Sequence, residues 1–508
     1  MAKPKRERRA GIPRRKGDRA ATGLARNARD KPEIVIGLVA AVGTPLDIVQ
    51  RRLSARLKTL GYSSDPIRLS DFIERFELGM PYRGNDEAKR IDSLMTRGDK
   101  ARTQTTRDDI LALAAIADIR VRRRTAATPL PAHAFILRQL KRPEEVHLLR
   151  RTYGEGFVLV GVYCPRAERE KNLRNQGVSG KEIAALIERD EQEDILGGQA
   201  LRKTFHLADL FVEVAQDPTR GEDEIDRAVD SLFGVGFRTP SKSEIGMFHA
   251  FGASLRSAQL GRQVGAAILS ASGELITVGA NEVPRAGGGQ YWEGDPRDAR
   301  DHRYERDSTN EAQEEIVREI LERTSLEWDS ATSERRRELV ADLMRRLKSS
   351  RVMSLTEFGR AVHAEAEAIV SAARSGVSTR GGSLFCTTFP CHVCAKHIVA
   401  AGITTVTYIE PYPKSQALAL HSDSVSIEEP EEGKVLFRPF VGVAPRLFPR
   451  LFSMTAADGT EIPRKDEVGM PIADRAALRL RMAYFSALQN EELAAQELEN
   501  LTINRSSP

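Results

Sequence analysis

Residues 361–370 read AVHAEAEAIV, and residues 389–398 read FPCHVCAKHI. The first stretch places a His and a Glu two residues apart in a helical run. The second sets two cysteines three apart, directly after a proline that suits a helix entry, where backbone N–H groups favour anionic sulfur. Zn2+ is held tetrahedrally by nitrogen and sulfur donors, and a hydrolytic site leaves one of the four positions to water. His363, Cys391 and Cys394 supply three donors. Glu365 is poorly placed to be the fourth and is free to move protons beside the metal. A structural site would need a fourth protein ligand, for which Cys386 reads as strand core, His392 as pointing away between the cysteines, and His397 as too far along the helix. The open, catalytic reading is therefore preferred.

That reading has a definite chemistry. Zinc brings the pKa of water from about 16 toward about 7, so hydroxide becomes available to attack an electron-poor ring carbon. Glu365 takes the proton, delivers it to the ring nitrogen and assists the loss of ammonia. His-x-Glu followed by Pro-Cys-x-x-Cys is the pattern of zinc nucleobase deaminases.

Working outward, VGAAILSASGELITVGANEVPRAG (264–287) predicts a hairpin running into a loop, GMFHAFGASLRSAQ before it a helix, and SLFCTTF, CHVCAKHIVAAG and VTYIEPY strand, helix, strand. Helices on both sides of a mixed sheet are expected. Residues 292–357 form a charged, helical insertion that covers a face or packs on another subunit. A boundary falls where GVGFRTPSKSE concentrates Gly, Pro, Ser and Lys, so the second domain spans 238–455. Residues 456–508 are a C-terminal extension with a helix.

The segment 31–237 opens EIVIGLVAAVGTPLDIVQRRLSARLKTLG, a strand, loop and helix. In register with GxxxxGK[ST], Gly37 and Thr44 match, but Val42 stands at the second Gly and Gly43 at the Lys. A loop of this kind points amides at a helix N-terminus, so Gly37, Gly43 and Thr44 are nucleotide-binding candidates, with phosphoryl transfer not expected without the Lys. Apolar runs at 66–72, 132–140, 157–165 and 208–214 alternate with helical stretches, which predicts a parallel sheet covered on both faces. Cys164 reads as a buried small hydrophobe, and His206 and Asp209 as pocket or connection residues.

The whole chain has 508 residues and a net charge of +5, but residues 1–31 carry twelve Lys or Arg against Glu7, Asp18 and Asp30, which is +9, leaving −4 for the rest. This arm, assigned to 1–30, is poor in apolar residues and is expected to be disordered. It reads as an RNA or DNA contact through phosphate neutralisation or as a solubilising terminus. No apolar run long enough for a membrane and no secretory leader is apparent, and four cysteines make no disulfide framework, so a reducing, cytoplasmic setting is expected.

Residues 240–430 resemble the deoxycytidylate deaminase branch of the cytidine deaminase fold in the hairpin and loop quoted above, in VHAEAEAI and in PCHVCAKHIVAAGITTVTYIEPY. With RQVGAAI, GANEVPRAGGGQYW, EPYPKSQALALHSDS and FVGVAPR, residues 31 to about 455 resemble bacterial anti-phage dCTP/dCMP deaminases, a degenerate P-loop kinase-like domain fused to a deaminase. The resemblance implies an α/β chain: a P-loop NTPase-like parallel sheet domain, then a three-layer α/β/α deaminase domain. It implies Zn2+ on His363, Cys391 and Cys394, Glu365 as proton shuttle, Asn281 at the sugar, and Tyr412, Lys414 and Ser415 on the substrate's phosphate side. The implied activity is hydrolysis of dCTP or dCMP to the deoxyuridine nucleotide and ammonia, depleting nucleotides in defence, under control by a regulatory nucleotide, an RNA or a small inhibitor, in a homo-oligomer. Glu367 stands where the family often carries Asn and is expected to face solvent. The rival readings are an editor of RNA or single-stranded DNA, against which stands an aromatic content of only 6%, and a housekeeping dCMP deaminase, which leaves the first 235 residues unexplained.

Overall fold

The computed structural model of the chain describes residues 31–76, 82–123, 128–191, 200–214, 218–305, 307–347, 350, 359–410, 415–455, 459–472 and 484–503. The basic arm lies outside them. Strands β1 (Ile34–Ala40), β2 (Ser63–Arg68), β3 (His133–Arg138), β4 (Phe157–Tyr163) and β5 (Leu210–Glu213) run parallel in the order β5-β4-β1-β3-β2. Every residue of β1, β3 and β4 is buried, because helices cover both faces of the sheet and leave no polar side to alternate with. The helix Leu46–Thr59 contributes Leu46, Val49, Leu53 and Leu57, spaced along one face. The run expected at 66–72 divides, since β2 stops at Arg68 and the chain turns into a 3-10 segment, Leu69–Arg75.

The second sheet holds β6 (Gly265–Leu269), β7 (Leu275–Ala280), β8 (Ser383–Cys386), β9 (Thr405–Tyr408), β10 (Val425–Ile427) and β11 (Val435–Pro439) in the order β10-β11-β9-β8-β6-β7. β6 is antiparallel to β7 and β8, and the remaining pairs are parallel. Along β6 the side chains alternate: Ala267 and Leu269 join the core with Met247 and Ala250 of helix Lys242–Ser254. Ala266 and Ile268 join Ala364, Ala368, Ala395 and Ile398 on the opposite face. Three layers result, as expected. The insertion forms a helical hairpin, Ser308–Thr324 and Ser333–Leu347, with a small core of its own around Val317, Trp328 and Val340.

Two features cross the expected boundaries. β12 (Gly442–Val443), inside the segment assigned to the second domain, pairs antiparallel with β5 and closes the edge of the first sheet. It is held there by the buried carboxylate of Glu244, which accepts from the Val443 amide at 2.9 Å and bonds Arg227 at 2.9 and 2.6 Å. The C-terminal helix Tyr484–Ile503 packs on the first domain, against Ile110–Arg122 and Pro143–Tyr153. There Arg123 lies buried between the carboxylates of Glu33 and Glu491.

Candidate zinc site

His363 is the N-cap residue of helix Ala364–Arg374, and Cys391 that of helix His392–Ala400. Both helices start just beyond the second sheet, so their N-termini converge. The position of His363 is set by its neighbour: Val362 and Glu282 exchange both backbone hydrogen bonds, at 3.1 and 3.3 Å, tying the helix entry to the loop after β7. The Cys391 sulfur accepts from the Cys394 amide at 3.4 Å, as an N-cap acceptor does.

The imidazole Nδ1 of His363 lies 3.4 Å from each sulfur, and the three donor atoms fall within 4.8 Å of one another. Zn–S and Zn–N bonds of about 2.3 and 2.0 Å at a tetrahedral angle put sulfur and nitrogen about 3.6 Å apart. The three side chains are thus spaced for one ion, and two thiolates with one imidazole are a zinc donor set. The Cys391 thiol is pushed down, first by its hydrogen bond with Cys394 and then by His363, while that same contact together with burial pushes Cys394 up. Two thiols this close to one imidazole give up their protons when a cation binds between them.

Glu365, in the first turn of its helix, is buried, and burial raises its carboxyl above the ordinary range. A carboxyl whose proton affinity is raised by burial is suited to taking up and handing on a proton. Cys386 is fully buried and its thiol is pushed well up by burial. It, His392 and His397 lie outside the three-donor group found among the described residues.

Other expected residues are placed differently. Asn281 spends its side chain on the backbone, accepting from Val264 N at 2.6 Å and donating to Arg262 O at 2.9 Å, so it shapes the 262–264 strand entry. Ser415 accepts from the Ala417 amide at 3.0 Å; Tyr412 and Lys414 lie outside the described residues. Glu367 does not face solvent but is buried, 3.4 Å from Arg374.

In the first domain, Gly37 sits in mid-β1, where a Cβ would meet Leu140 and Phe157 at 2.5 and 2.9 Å, so it is a packing glycine. Gly43 has φ +84° and its Cβ would lie 2.7 Å from the Arg169 carbonyl, a conformation glycine adopts freely. The loop amide of Val42 donates to Asp190 at 2.7 Å, and Lys141 bridges Asp190 and the Ala40 carbonyl at 2.8 and 2.9 Å. Thr44 Oγ1 is buried without a partner. Beside the loop a cavity of about 420 Å3 is lined by Gly43, Thr44, Arg68, Arg138 and Asn172.

Sequence reasoning missed Glu282. Fully buried, its carboxylate accepts from the amides of Ala258 and Val283, both at 2.8 Å, and so fixes the loop that holds His363. Only its place beside Asn281 could have drawn attention to it.

A mixed α/β/α sheet with two helix N-termini presenting one imidazole, two thiols and a buried carboxylate defines a zinc site of the hydrolytic, three-ligand kind. Residues 240–410 match the family described as the cytidine and deoxycytidylate deaminase zinc-binding region, and zinc is its cofactor. The chain is 40% identical over 75 residues to the ComE operon protein 2 of Bacillus subtilis (strain 168), covering 14% of this chain and 39% of that protein. It is 44% identical over 55 residues to the deoxycytidylate deaminase of Enterobacteria phage T4, covering 11% of this chain and 28% of that enzyme. The chain thus spans well under half the length of these curated relatives. Among solved structures, the dCMP deaminase of cyanophage S-TIM5 matches at 19% identity over 40% of this chain and 99% of that one, with a TM-score of 0.22. No described helix is long and apolar enough to cross a membrane.

Proposed function

We propose that the chain is a zinc-dependent hydrolase that deaminates deoxycytidine nucleotides, dCTP or dCMP, to the deoxyuridine nucleotides and ammonia. The observation that carries this is the approach of His363 Nδ1 to within 3.4 Å of both cysteine sulfurs with Glu365 buried two residues on. His363, Cys391 and Cys394 hold the metal. Bound zinc supplies Lewis acidity, bringing water's pKa from about 16 to about 7. Glu365 takes a proton from the attacking water and passes it to the ring nitrogen N3. As the new C4–O bond forms and the C4–N bond breaks, Glu365 returns the second proton to the departing amine, which leaves as ammonia. The burial of Glu365 is what raises its proton affinity.

The wider reading, depletion of nucleotides in anti-phage defence by a deaminase fused to a kinase-like domain, is supported by the sequence resemblance across residues 31 to about 455. The parallel order β5-β4-β1-β3-β2 also supports it, since the strand order reverses at β1, where ligands of such sheets bind. A regulatory nucleotide would sit in the cavity beside Gly43 and Thr44 and be held by Arg68 and Arg138 rather than by the Val42 amide.

The experiment is incubation of purified protein with dCTP, dCMP, CTP, single-stranded DNA and RNA, with ammonia and uracil-containing product measured. Turnover of a free deoxycytidine nucleotide is expected and is lost in Glu365→Ala. Product from polymer alone would overturn the reading.

A further inference from the structure

A cavity of about 680 Å3 lies where the two domains meet. The first domain lines it with Arg202 and Lys203 of helix Leu201–His206, and the crossing segment before the C-terminal extension lines it with Arg446. The second domain lines it with Arg262, Thr388 and Glu410. Four fixed cations thus face one carboxylate.

Two of those cations are already spent. Arg202 grips Glu410 through two bonds of 2.9 and 2.7 Å, and Arg446 lies 2.9 Å from Asp209. Lys203 and Arg262 have no carboxylate partner among the described residues. Lys203 is exposed, and Arg262 reaches only the Thr388 hydroxyl, at 3.5 Å. Thr388 is three residues before Cys391, the N-cap of the zinc-site helix, so the segment that Arg262 reaches leads directly into that helix. The basic cavity therefore begins on the segment leading to the zinc-site helix and ends on the other domain. Unpaired cations converging on a concave surface favour a polyanion, and a phosphate chain offers oxygens to each in turn.

Resting on the deaminase reading, we propose that this cavity receives the triphosphate of the substrate nucleotide, with Arg262 as the contact nearest the sugar and Lys203 as the contact for the distal phosphates. The first domain then takes part in substrate choice, because a monophosphate reaches Arg262 but not Lys203. Selection of nucleoside triphosphate over monophosphate is a property of the domain interface.

The test compares dCTP and dCMP as substrates of the full chain carrying Lys203→Ala, Lys203→Glu and Lys203→Arg, with inorganic tripolyphosphate as a competitor. One charge-assisted contact is worth about tenfold in affinity. The ratio of KM for dCTP to KM for dCMP is expected to rise about tenfold in Lys203→Ala, further in Lys203→Glu, and to return in Lys203→Arg. Tripolyphosphate is expected to inhibit the wild-type protein competitively with dCTP, and less strongly in Lys203→Ala. Parallel changes in both KM values, non-competitive inhibition, or turnover of dCMP without dCTP would overturn the proposal and leave the deaminase reading standing. Turnover of neither nucleotide would remove the reading on which it rests.

Discussion

The substitution Gly279→Ala isolates the support of the zinc site from its chemistry. Gly279 lies in β7, beneath helix Ala364–Arg374, and a Cβ built there would come 2.1 Å from the Ala364 carbonyl oxygen and 2.5 Å from the Ala368 amide. Heavy atoms in contact settle at about 3.5 Å, so strand and helix must part by about 1 Å. The obstructing atoms are backbone and cannot rotate aside. The helix carries His363 at its N-cap and Glu365 in its first turn, while Cys391 and Cys394 belong to a different helix. Parting therefore separates the nitrogen donor from the sulfurs. A displacement of this size costs about a hundredfold in rate, and the overpacking costs about 1–3 kcal/mol of stability. Gly252→Ala is the control, since a Cβ there meets nothing within 4 Å. The assay is zinc per chain after dialysis against a weak chelator, with deamination rate and thermal unfolding followed in parallel. Gly279→Ala that stays folded is expected to lose zinc and rate together. Wild-type zinc retention and rate in that variant would refute the claim that the close approach of β7 positions His363.

Three further outcomes follow from the same structure. Glu365→Gln is expected to keep zinc yet lose about 10²–10⁴-fold in turnover, the usual yield of a positioned proton shuttle, as read by metal analysis beside steady-state kinetics. Arg123→Met leaves the carboxylates of Glu33 and Glu491 buried without their cation and should destabilise the fold by about 3–5 kcal/mol, measured by urea unfolding. Burial alone would raise Glu410, but the hydrogen-bonded Arg202 guanidinium and His206, 3.7 Å away, outweigh it and hold the carboxyl at about 2 against an ordinary 4.5. This lowered group contributes about 3 kcal/mol that is complete above pH 4.5 and fades as pH falls toward 2; Glu410→Gln should lower the unfolding temperature at pH 7 and flatten that acid limb.

The zinc donors were legible because coordination chemistry restricts residue type and spacing at once, and few other demands produce His-x-Glu and Pro-Cys-x-x-Cys in one chain. Strands β1, β3, β4 and β5 were legible because burial on both faces writes an unbroken apolar run. What escaped has no local signature. β12 is two residues long, and its partners, β5 and the Glu244 carboxylate 199 residues away, are both remote in sequence. Glu367 reads as a solvent-facing helix residue by type, yet it is buried beside Arg374. Asn281 falls, by the family resemblance, at the sugar, and the structure adds what the sequence does not show, that its side chain also bonds the backbone at 262–264. The loop after β1 looked like an open anion cradle, whereas its occupant, Asp190, lies 148 residues further on.

That occupant bears on what the first domain is for. A phosphate seated on the Val42 amide would have to displace a carboxylate that is buried and paired with Lys141 at 2.8 Å, and parting such a pair costs about 3–5 kcal/mol. The loop's anion site is in effect filled by the chain itself, and the absence of a Lys at position 43 agrees with this. The same domain sends Arg202 across to Glu410 and receives β12 along β5, so its firmest connections point toward the second domain. On the proposed reading, a domain that closes its own phosphate loop while supplying cations to its neighbour's cavity would act on the reaction through the shape and charge of that shared wall.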